Sequence, residues 1–300
     1  MAMTLMLIMI VLLVLGFPMM IPLTAAALSG FYMMFSGVSQ MDTFIQQVLG
    51  GIRPASLIAV PMFILAADIM TRGQSANRLI DMVMTFIGHI RGGLAISTAT
   101  SCTLFGAVSG STQATVVAVG SALRPKLLRA GYSDSFSLAL IINASDIAFL
   151  IPPSIGMIIY GVISETSIAE LFIAGIGPGL MILTFFSLYC LYYATVNKVP
   201  TEPKASWSER LTATRKALWP LMFPLIIVGG IYGGIFSPTE AAAVCVLYAM
   251  ILEFGIFRSL SRKDVFIIAR STGLITAVVF ILVGVGNGFS WIISFAQIPQ

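Results

Sequence analysis

Apolar residues in this chain occur in long runs separated by short polar segments. The runs lack the strict alternation of apolar and polar residues that membrane-spanning strands show, so they predict helices. We predict membrane-length helices over residues 5–35, 54–70, 168–196, 217–236, 238–257 and 265–295. Pro18 and Pro22 are expected to divide the first helix, Pro220 and Pro224 to interrupt the fourth near its start, and residues 284–288 (GVGNG) to bend the last.

Three shorter stretches differ from these runs. Residues 72–91 carry apolar residues at helical spacing between arginines, which predicts an amphipathic helix along the membrane interface. Residues 36–53 and 197–216 are polar and predict loops, the second of them a cytoplasmic linker between two halves of the chain. Ser237 and Glu240 have the spacing of a helix N-cap with an acid in the first turn, so capping is the better account of Glu240.

Residues 92–105 and 115–123 are apolar but only about half a bilayer long. Between them lies a tip, residues 108–112, with three hydroxyls and a glycine that permits a turn. This pattern predicts a re-entrant hairpin. Non-helical backbone at membrane depth persists only where protein buries it or where it lines a wet cavity, so the tip is expected to form a binding site or its wall. The alternative is that these hydroxyls serve only helix packing.

A second interruption lies in residues 133–163, where NASD at 143–146 and IPPS at 151–154 break an apolar stretch. Two adjacent prolines remove two backbone donors, and Pro152 disfavours helical geometry at Ile151. The chain is therefore expected to unwind over residues 145–153 and to form a helix again afterwards. A discontinuous helix beside a half-spanning hairpin is typical of secondary transporters.

Composition identifies the class, since 58% of the 300 residues are hydrophobic and 9% are charged. This is an integral membrane protein of helices. The net charge of +4 comes from lysines and arginines in short loops, which indicates membrane orientation and no nucleic-acid partner. Positive charge flanks both ends of the hairpin, so its base and the N-terminus are predicted to be cytoplasmic. The three cysteines lie far apart and form no disulfide or metal pattern.

Hydroxyls and unwound carbonyls are the oxygen ligands that a hard cation such as Na⁺ prefers. We assign a site for such a cation to Gly106, Ser109, Ser111, Asn143 and Ser145, and substrate binding to Thr112, Asp146, Pro153 and Ser154. Asp146 is an acid deep in an apolar segment. Because a carboxylate is energetically costly there, we expect Asp146 to have a functional role. If it is charged in a cavity, it favours a zwitterionic or cation-bearing solute. The alternative is a structural carboxylate stabilised by a helix N-terminus or by nearby hydroxyls.

Five sequence blocks carry a family resemblance: PMFILA at 61–66, SGS at 109–111, LIPPSIGMIIYG at 150–161, SIAELFIAGIGPG at 167–179 and FSPTEAAAV at 236–244. In this order they resemble the large membrane subunit of TRAP (tripartite ATP-independent periplasmic) transporters over essentially the whole chain. Two departures are visible. The family continues through a second hairpin and a second broken helix, so the chain is expected to be truncated and inactive alone. Relatives often carry small neutral residues where this chain has Ser145 and Asp146.

The resemblance implies an inner-membrane secondary transporter driven by sodium. Its solute, a small organic acid or zwitterion, would arrive on a soluble periplasmic binding protein. Its transport domain would move as an elevator against a scaffold shared with a small membrane subunit. On this basis we divide the chain into scaffold helices and an interfacial arm (1–91), the transport-domain hairpin and broken helix (92–163), a long helix and linker (164–216), and the start of an inverted second repeat (217–300).

Parts of the pattern are also compatible with two other functions. An intramembrane hydrolase would use Ser109 or Ser111 with His89 and Asp146, but the charge around His89 indicates the membrane surface, far from serines near mid-bilayer. An ion channel would use the hairpin as a filter, yet neither a repeat of ring-forming carbonyls nor an acid ring is recognisable. We therefore assign no catalytic residue and predict a protein that is not an enzyme.

Overall fold

The computed structural model describes residues 1–35 and 41–297. Within these residues the regular structure is helical and contains no strand. The helices are α1 (Ala2–Val14), α2 (Met20–Met34), α3 (Met41–Gly50), α4 (Ala59–Arg72), α5 (Ser75–Ile87), α6 (Gly93–Ser109), α7 (Thr112–Arg129), α8 (Asp134–Ser145), α9 (Ile155–Ile163), α10 (Ile168–Val196), α11 (Trp207–Tyr232), α12 (Pro238–Met250) and α13 (Arg262–Phe295). Short 3-10 helices cover Ala55–Ile58 and Asp146–Phe149, and a π-helical segment covers Ile251–Ile256.

Five helical segments in the described part are long and apolar enough to cross a membrane, judged by length and composition. They are Ala55–Arg72, Ile168–Val196, Trp207–Tyr232, Pro238–Ile256 and Arg262–Phe295. The predicted all-α class is therefore confirmed. The chain divides into two compact units, Met1–Leu57 with Gly273–Gln300, and Ile58–Thr272. The boundaries predicted at residues 91, 163 and 216 stay predictions.

The first predicted helix is divided, as its prolines indicate. α1 ends at Val14 and α2 begins at Met20, with Pro22 in the first turn of α2, where a missing backbone donor costs little. Part of the predicted loop 36–53 is wrong, because residues 41–50 form α3, while residues 36–40 lie outside the described residues. α3 forms because it buries Phe44 in a cluster with Phe31 and Ile292.

The bend predicted at residues 284–288 stays a prediction, but these residues do not break α13, which runs through them. The glycines serve close packing. A Cβ added to Gly284 would lie 2.9 Å from the Val48 carbonyl oxygen of α3, and one added to Gly288 would lie 2.7 Å from Val48 Cγ2. Small residues four positions apart let two membrane helices approach closely. Asn287, on the same turn, donates from Nδ2 to the Gln47 carbonyl at 2.7 Å.

The polar linker is shorter than predicted, because α11 begins at Trp207 and not at residue 217. A capping box starts the helix: Glu209 N donates to Ser206 Oγ at 3.2 Å, and Ser206 N donates to Glu209 Oε2 at 2.7 Å. The predicted interruption by Pro220 and Pro224 is wrong, since α11 continues through both prolines. Packing along α5 and α12 offsets the backbone hydrogen bonds that the prolines remove. The capping of α12 by Ser237 and Glu240 is confirmed.

The N-terminus of α5 is capped by an acid that is distant in sequence. Glu253, fully buried in the π-helical segment, accepts hydrogen bonds from the backbone N–H groups of Gln74 at 3.0 Å and Ser75 at 3.1 Å. The hydroxyls of Ser75 and Ser259 also donate to its carboxylate. A negative charge at this end of α5 satisfies orphan donors and complements the helix dipole. The predicted amphipathic helix is thereby fixed in place between α6 and α11.

The two arms of the predicted hairpin, α6 and α7, pack on each other and on α8. A stack of aromatic rings closes one end of this core, with ring centroids 5.3 Å apart for Tyr132 and Phe136 and 3.9 Å apart for Phe136 and Tyr193. Arg124 of α7 donates to Asp134 of α8 at 2.9 and 3.0 Å. This hydrogen bond holds the pKa of the exposed Asp134 carboxyl below its ordinary value.

The unwound segment between α8 and α9 is held between two pairs of glycines, each pair four residues apart. On one side, a Cβ added to Gly106 would lie 2.8 Å from Ala148 Cβ, and one added to Gly110 would lie 2.5 Å from the Pro153 carbonyl oxygen. On the other side, Gly175 of α10 touches the Leu150 carbonyl and Gly179 leaves room for Ile151. The break is therefore fixed by close backbone approach on two faces.

We expect Gly175→Ala to lower the midpoint of thermal unfolding in detergent. Its methyl group would overlap the Leu150 carbonyl oxygen and Met157 Cε, and such overpacking costs about 1–3 kcal/mol. The matched control is Gly177→Ala on the same helix, where an added Cβ meets open space and improves helix propensity by up to about 1 kcal/mol. Equal midpoints for the two variants would contradict this packing.

We expect Glu253→Ala to destabilise the protein more than Glu253→Gln. Alanine leaves the buried N–H group of Ser75 and the partly buried N–H group of Gln74 without an acceptor, whereas glutamine keeps one carbonyl oxygen. A buried unsatisfied group costs about 1–3 kcal/mol, and a partly buried one costs less because water can reach it. Thermal unfolding in detergent measures the difference. Glu165→Ala, on an exposed turn, controls for loss of an acid at a solvent-facing position. A Glu253→Ala protein as stable as this control would rule out the capping role.

Candidate functional site

The hairpin tip is a sharp turn between two helices, as predicted. α6 ends at Ser109, and Gly110 adopts a left-handed conformation with φ of +60°, which explains why glycine is present. Ser111 is extended and caps α7, its hydroxyl accepting from Ala114 N at 3.4 Å. The chain thus reverses direction over two residues, and the N-terminus of α7 opens at the tip.

Three oxygen atoms lie close together just behind this turn. Ser109 Oγ is 3.0 Å from Thr115 Oγ1 and 3.2 Å from the Ser111 carbonyl oxygen, and Thr115 Oγ1 is 2.8 Å from the same carbonyl. The Ser109 and Thr115 residues are almost fully buried. Two hydroxyls and a carbonyl form a compact set of neutral oxygens, which are ligands that a hard cation accepts.

The broken segment meets the tip directly. α8 ends at Ser145, and α9 begins at Ile155 with Ser154 as its N-cap, the Ser154 hydroxyl accepting from Met157 N at 3.2 Å. Ile155 N donates to the Gly110 carbonyl at 3.4 Å. The structure therefore brings Pro153 and Ser154 beside the hairpin tip, and the N-termini of α7 and α9 begin at neighbouring positions.

The other predicted sodium ligands have these surroundings. The Gly106 carbonyl accepts from Gly110 N at 2.8 Å, as part of the end of α6. Ser145 is fully buried, and its hydroxyl donates to the Ile141 carbonyl at 2.7 Å. Asn143 is exposed, and its Nδ2 donates to the Ala139 carbonyl at 2.7 Å. Both side chains are thus hydrogen-bonded within their own helix, and the Ser145 hydroxyl also donates to Cys102 Sγ of α6 at 3.5 Å. Among the described residues neither forms a hydrogen bond with the oxygens behind the tip.

The predicted substrate ligands Thr112 and Asp146 present free polar atoms. Thr112 Oγ1 is buried in the first turn of α7 and has no hydrogen-bond partner among the described residues. Asp146 opens the 3-10 helix of the broken segment and is exposed. It belongs to neither of the two ion pairs found in the described part of the chain. Asp146 is therefore accessible to a solute, whereas Thr112 Oγ1 is buried beneath the surface of the tip.

Hydroxyls that the sequence analysis did not single out also belong to the hairpin. Thr115 lies one turn after Ser111 on α7, and Ser97 and Ser101 lie one turn apart on α6. The Ser97 and Ser101 hydroxyls are fully buried without a partner in the part of the chain that the structure describes. The signal was present, because the run STATSCT at residues 97–103 is unusually rich in hydroxyls for an apolar helix.

The geometry is incompatible with a hydrolytic triad. His89 follows α5, at the base of the hairpin, whereas Ser109 and Ser111 lie at the tip. The 17 residues of α6 separate base from tip by about 25 Å at helical rise. A serine and its general base must lie within hydrogen-bond distance. Among the described residues, no group of three or more His, Cys, Asp and Glu side chains could hold a metal ion.

Comparison with known proteins identifies the family that the sequence blocks resemble. Residues 6–300 match the family described as "Tripartite ATP-independent periplasmic transporter, DctM component". The chain is 80% identical over 292 residues to the "Ectoine TRAP transporter large permease protein TeaC" of Halomonas elongata, covering 97% of this chain and 68% of that protein.

Two further relatives extend the comparison. The "Ectoine/5-hydroxyectoine TRAP transporter large permease protein UehC" of Ruegeria pomeroyi is 72% identical over 300 residues, covering 100% of this chain and 70% of that protein. The "C4-dicarboxylate TRAP transporter large permease protein DctM" of Pseudomonas aeruginosa is 40% identical over 245 residues, covering 82% of this chain and 57% of that protein. These relatives are transporter permeases and not enzymes. The chain therefore belongs to the DctM family, the large, multi-pass inner-membrane permease component of TRAP transporters.

Proposed function

We propose that this chain takes part in sodium-coupled import of an ectoine-type zwitterion, received from a periplasmic binding protein and carried with the help of a small membrane subunit. The observation that supports the solute class is the difference in identity between relatives. Identity is 80% and 72% to permeases named for ectoine, but 40% to one named for C4-dicarboxylates. We further propose a cytoplasmic N-terminus, an inverted repeat and elevator movement of the hairpin with the broken helix.

The chemistry of the site supports a zwitterion. Ectoine carries a carboxylate and a delocalised amidinium cation. The N-termini of α7 and α9, capped by Ser111 and Ser154, begin side by side and offer partial positive charge to the carboxylate. Asp146, exposed at the start of the 3-10 helix, offers a counter-charge to the cation. A dicarboxylate has no cation to pair with this acid and would be repelled by it.

The oxygens behind the tip support the coupling ion. Ser109 Oγ, Thr115 Oγ1 and the Ser111 carbonyl converge within 3.2 Å of one another, and a sodium ion would replace their mutual hydrogen bonds. Neutral ligands hold a monovalent cation without a full compensating charge, so the ion can be released on the far side. Because the same turn positions the N-terminus of α7, occupancy by sodium would order the end of the helix that receives the solute.

We expect Ser109→Ala in the assembled transporter to raise the Na⁺ concentration for half-maximal uptake on the order of tenfold, because one oxygen ligand is lost. Uptake of labelled ectoine into proteoliposomes, with the binding protein present, measures this at several Na⁺ concentrations. The control is Ser121→Ala, an exposed serine on α7 that bonds only to its own helix at Ala118. An unchanged Na⁺ dependence for Ser109→Ala would count against the site.

We expect Asp146→Asn to reduce discrimination between ectoine and a C4-dicarboxylate such as succinate. The substitution keeps the shape of the side chain but removes the negative charge that would pair with the ectoine cation and repel the dicarboxylate. Competition of unlabelled succinate against labelled ectoine uptake measures the change. Asp134→Asn, an exposed acid at the other end of α8, is the matched control. If Asp146→Asn only lowers protein yield and leaves competition unchanged, the acid is structural.

A further inference from the structure

A cavity of about 380 Å³ that is open to the surface lies in the unit Ile58–Thr272, where α5, α11 and the π-helical segment meet. None of its lining residues belongs to the hairpin or to the broken segment. Three of the lining residues are cationic, Arg78 from α5 and Arg215 and Lys216 from α11, and no acid is among the lining residues that the structure describes. Thr212 and Trp219 complete the α11 wall.

Arg78 is held in place by neutral groups, so its charge stays available. Its guanidinium lies 3.6 Å from the centroid of the Phe257 ring. Its Nη2 donates to Gln74 Oε1 at 2.9 Å, and its Nη1 donates to the Lys216 carbonyl at 3.5 Å. A guanidinium fixed in this way by an aromatic ring and amide oxygens is preorganised for a planar or tetrahedral oxyanion.

Three nearby acids are occupied elsewhere, and Asp81, three residues after Arg78 on α5, forms no ion pair with it among the described residues. Glu253 caps α5, Glu209 closes the capping box of α11, and Asp264 accepts from Ser261 N at 2.7 Å. The two ion pairs of the described residues, Asp68 with Arg72 and Arg124 with Asp134, leave all three cavity cations out. The cavity therefore brings together three cations that form no ion pair with the described part of the protein.

A fourth cation lies in the same seam between α5 and α11. Arg210 is only 8% exposed, and its Nε and Nη2 are buried without a partner among the described residues. Its guanidinium lies 5.2 Å from the Trp207 ring centroid and 5.6 Å from that of Phe86. Six residues of helix place it about 9 Å along α11 from Lys216. The seam between α5 and α11 thus contains four cations that form no ion pair with the described residues.

We propose that this cavity binds the phosphate headgroup of an anionic phospholipid. α11 is a candidate membrane span, and Trp219 lies one turn beyond Lys216, which is the order of cation and aromatic residue found where a helix enters the bilayer. The phosphate would lie among Arg78, Arg215 and Lys216, and the acyl chains would leave past Trp219. A lipid in this position would join the amphipathic α5 to the span α11.

The test measures the thermal unfolding midpoint of the purified transporter complex in detergent micelles. Added phosphatidylglycerol is expected to raise the midpoint on the order of 5 °C. Phosphatidylcholine and inorganic phosphate at the same concentration are expected to leave it unchanged. An equal rise of the midpoint with inorganic phosphate would mean that the cavity binds a soluble anion and not a lipid, which would contradict the proposal. No rise with phosphatidylglycerol would also contradict it.

Two triple variants separate the cavity from general surface charge. Neutralising the cavity cations together, as Arg78→Gln, Arg215→Gln and Lys216→Gln, is expected to abolish the phosphatidylglycerol effect. Neutralising three exposed cations elsewhere, as Lys126→Gln, Arg129→Gln and Lys204→Gln, removes the same charge and is expected to retain it. Equal loss in both variants would indicate nonspecific attraction and contradict the proposal.

A second measurement applies even if the cavity variant does not fold. Phosphatidylglycerol with brominated acyl chains is expected to quench the tryptophan fluorescence of the otherwise unaltered complex more than brominated phosphatidylcholine does. The excess should disappear in Trp219→Phe and persist in Trp207→Phe, which removes an exposed tryptophan of the same helix outside the cavity lining. An excess that survives Trp219→Phe would mean that the lipid binds elsewhere.

Discussion

The arrangement of the hairpin and the broken helix depends on close backbone contact at one unwound segment. Residues 146–154 pass between Gly106 and Gly110 on one side and Gly175 and Gly179 on the other. A side chain at any of these four positions would displace either a carbonyl or a packed apolar side chain. Non-helical backbone in a membrane protein must be enclosed in this way, because lipid cannot satisfy its polar groups.

This enclosure has consequences for the site. With the unwound segment fixed, the N-termini of α7 and α9 start at neighbouring positions, and the oxygens behind the hairpin tip face each other at hydrogen-bond distances. Helix ends and freed carbonyls are then available to ions and solutes. The same residues that break two helices therefore create the chemistry proposed for transport, and a stable core of α6, α7 and α8 holds them in register.

Glycines and acids in apolar runs have more than one meaning, and context separates them. The pairs at 175–179 and 284–288 share the four-residue spacing, and both allow close approach of a neighbouring segment without breaking their own helix. Gly110, by contrast, has a positive φ and reverses the chain. Asp146 is exposed at the break, whereas Glu253, which also lies in an apolar run, is fully buried and caps α5.

The sequence by itself determined the class, the hairpin, the broken helix and the capped start of α12, because length, hydropathy, adjacent prolines and capping residues act locally. It also carried the motifs of the family. Only the tertiary structure decided that α3 forms, that α11 and α13 run unbroken, that Thr115 joins the oxygens at the tip and that Glu253 caps a helix 179 residues away along the chain. Each of these outcomes depends on which surface packs against a residue, and a local pattern does not contain that information.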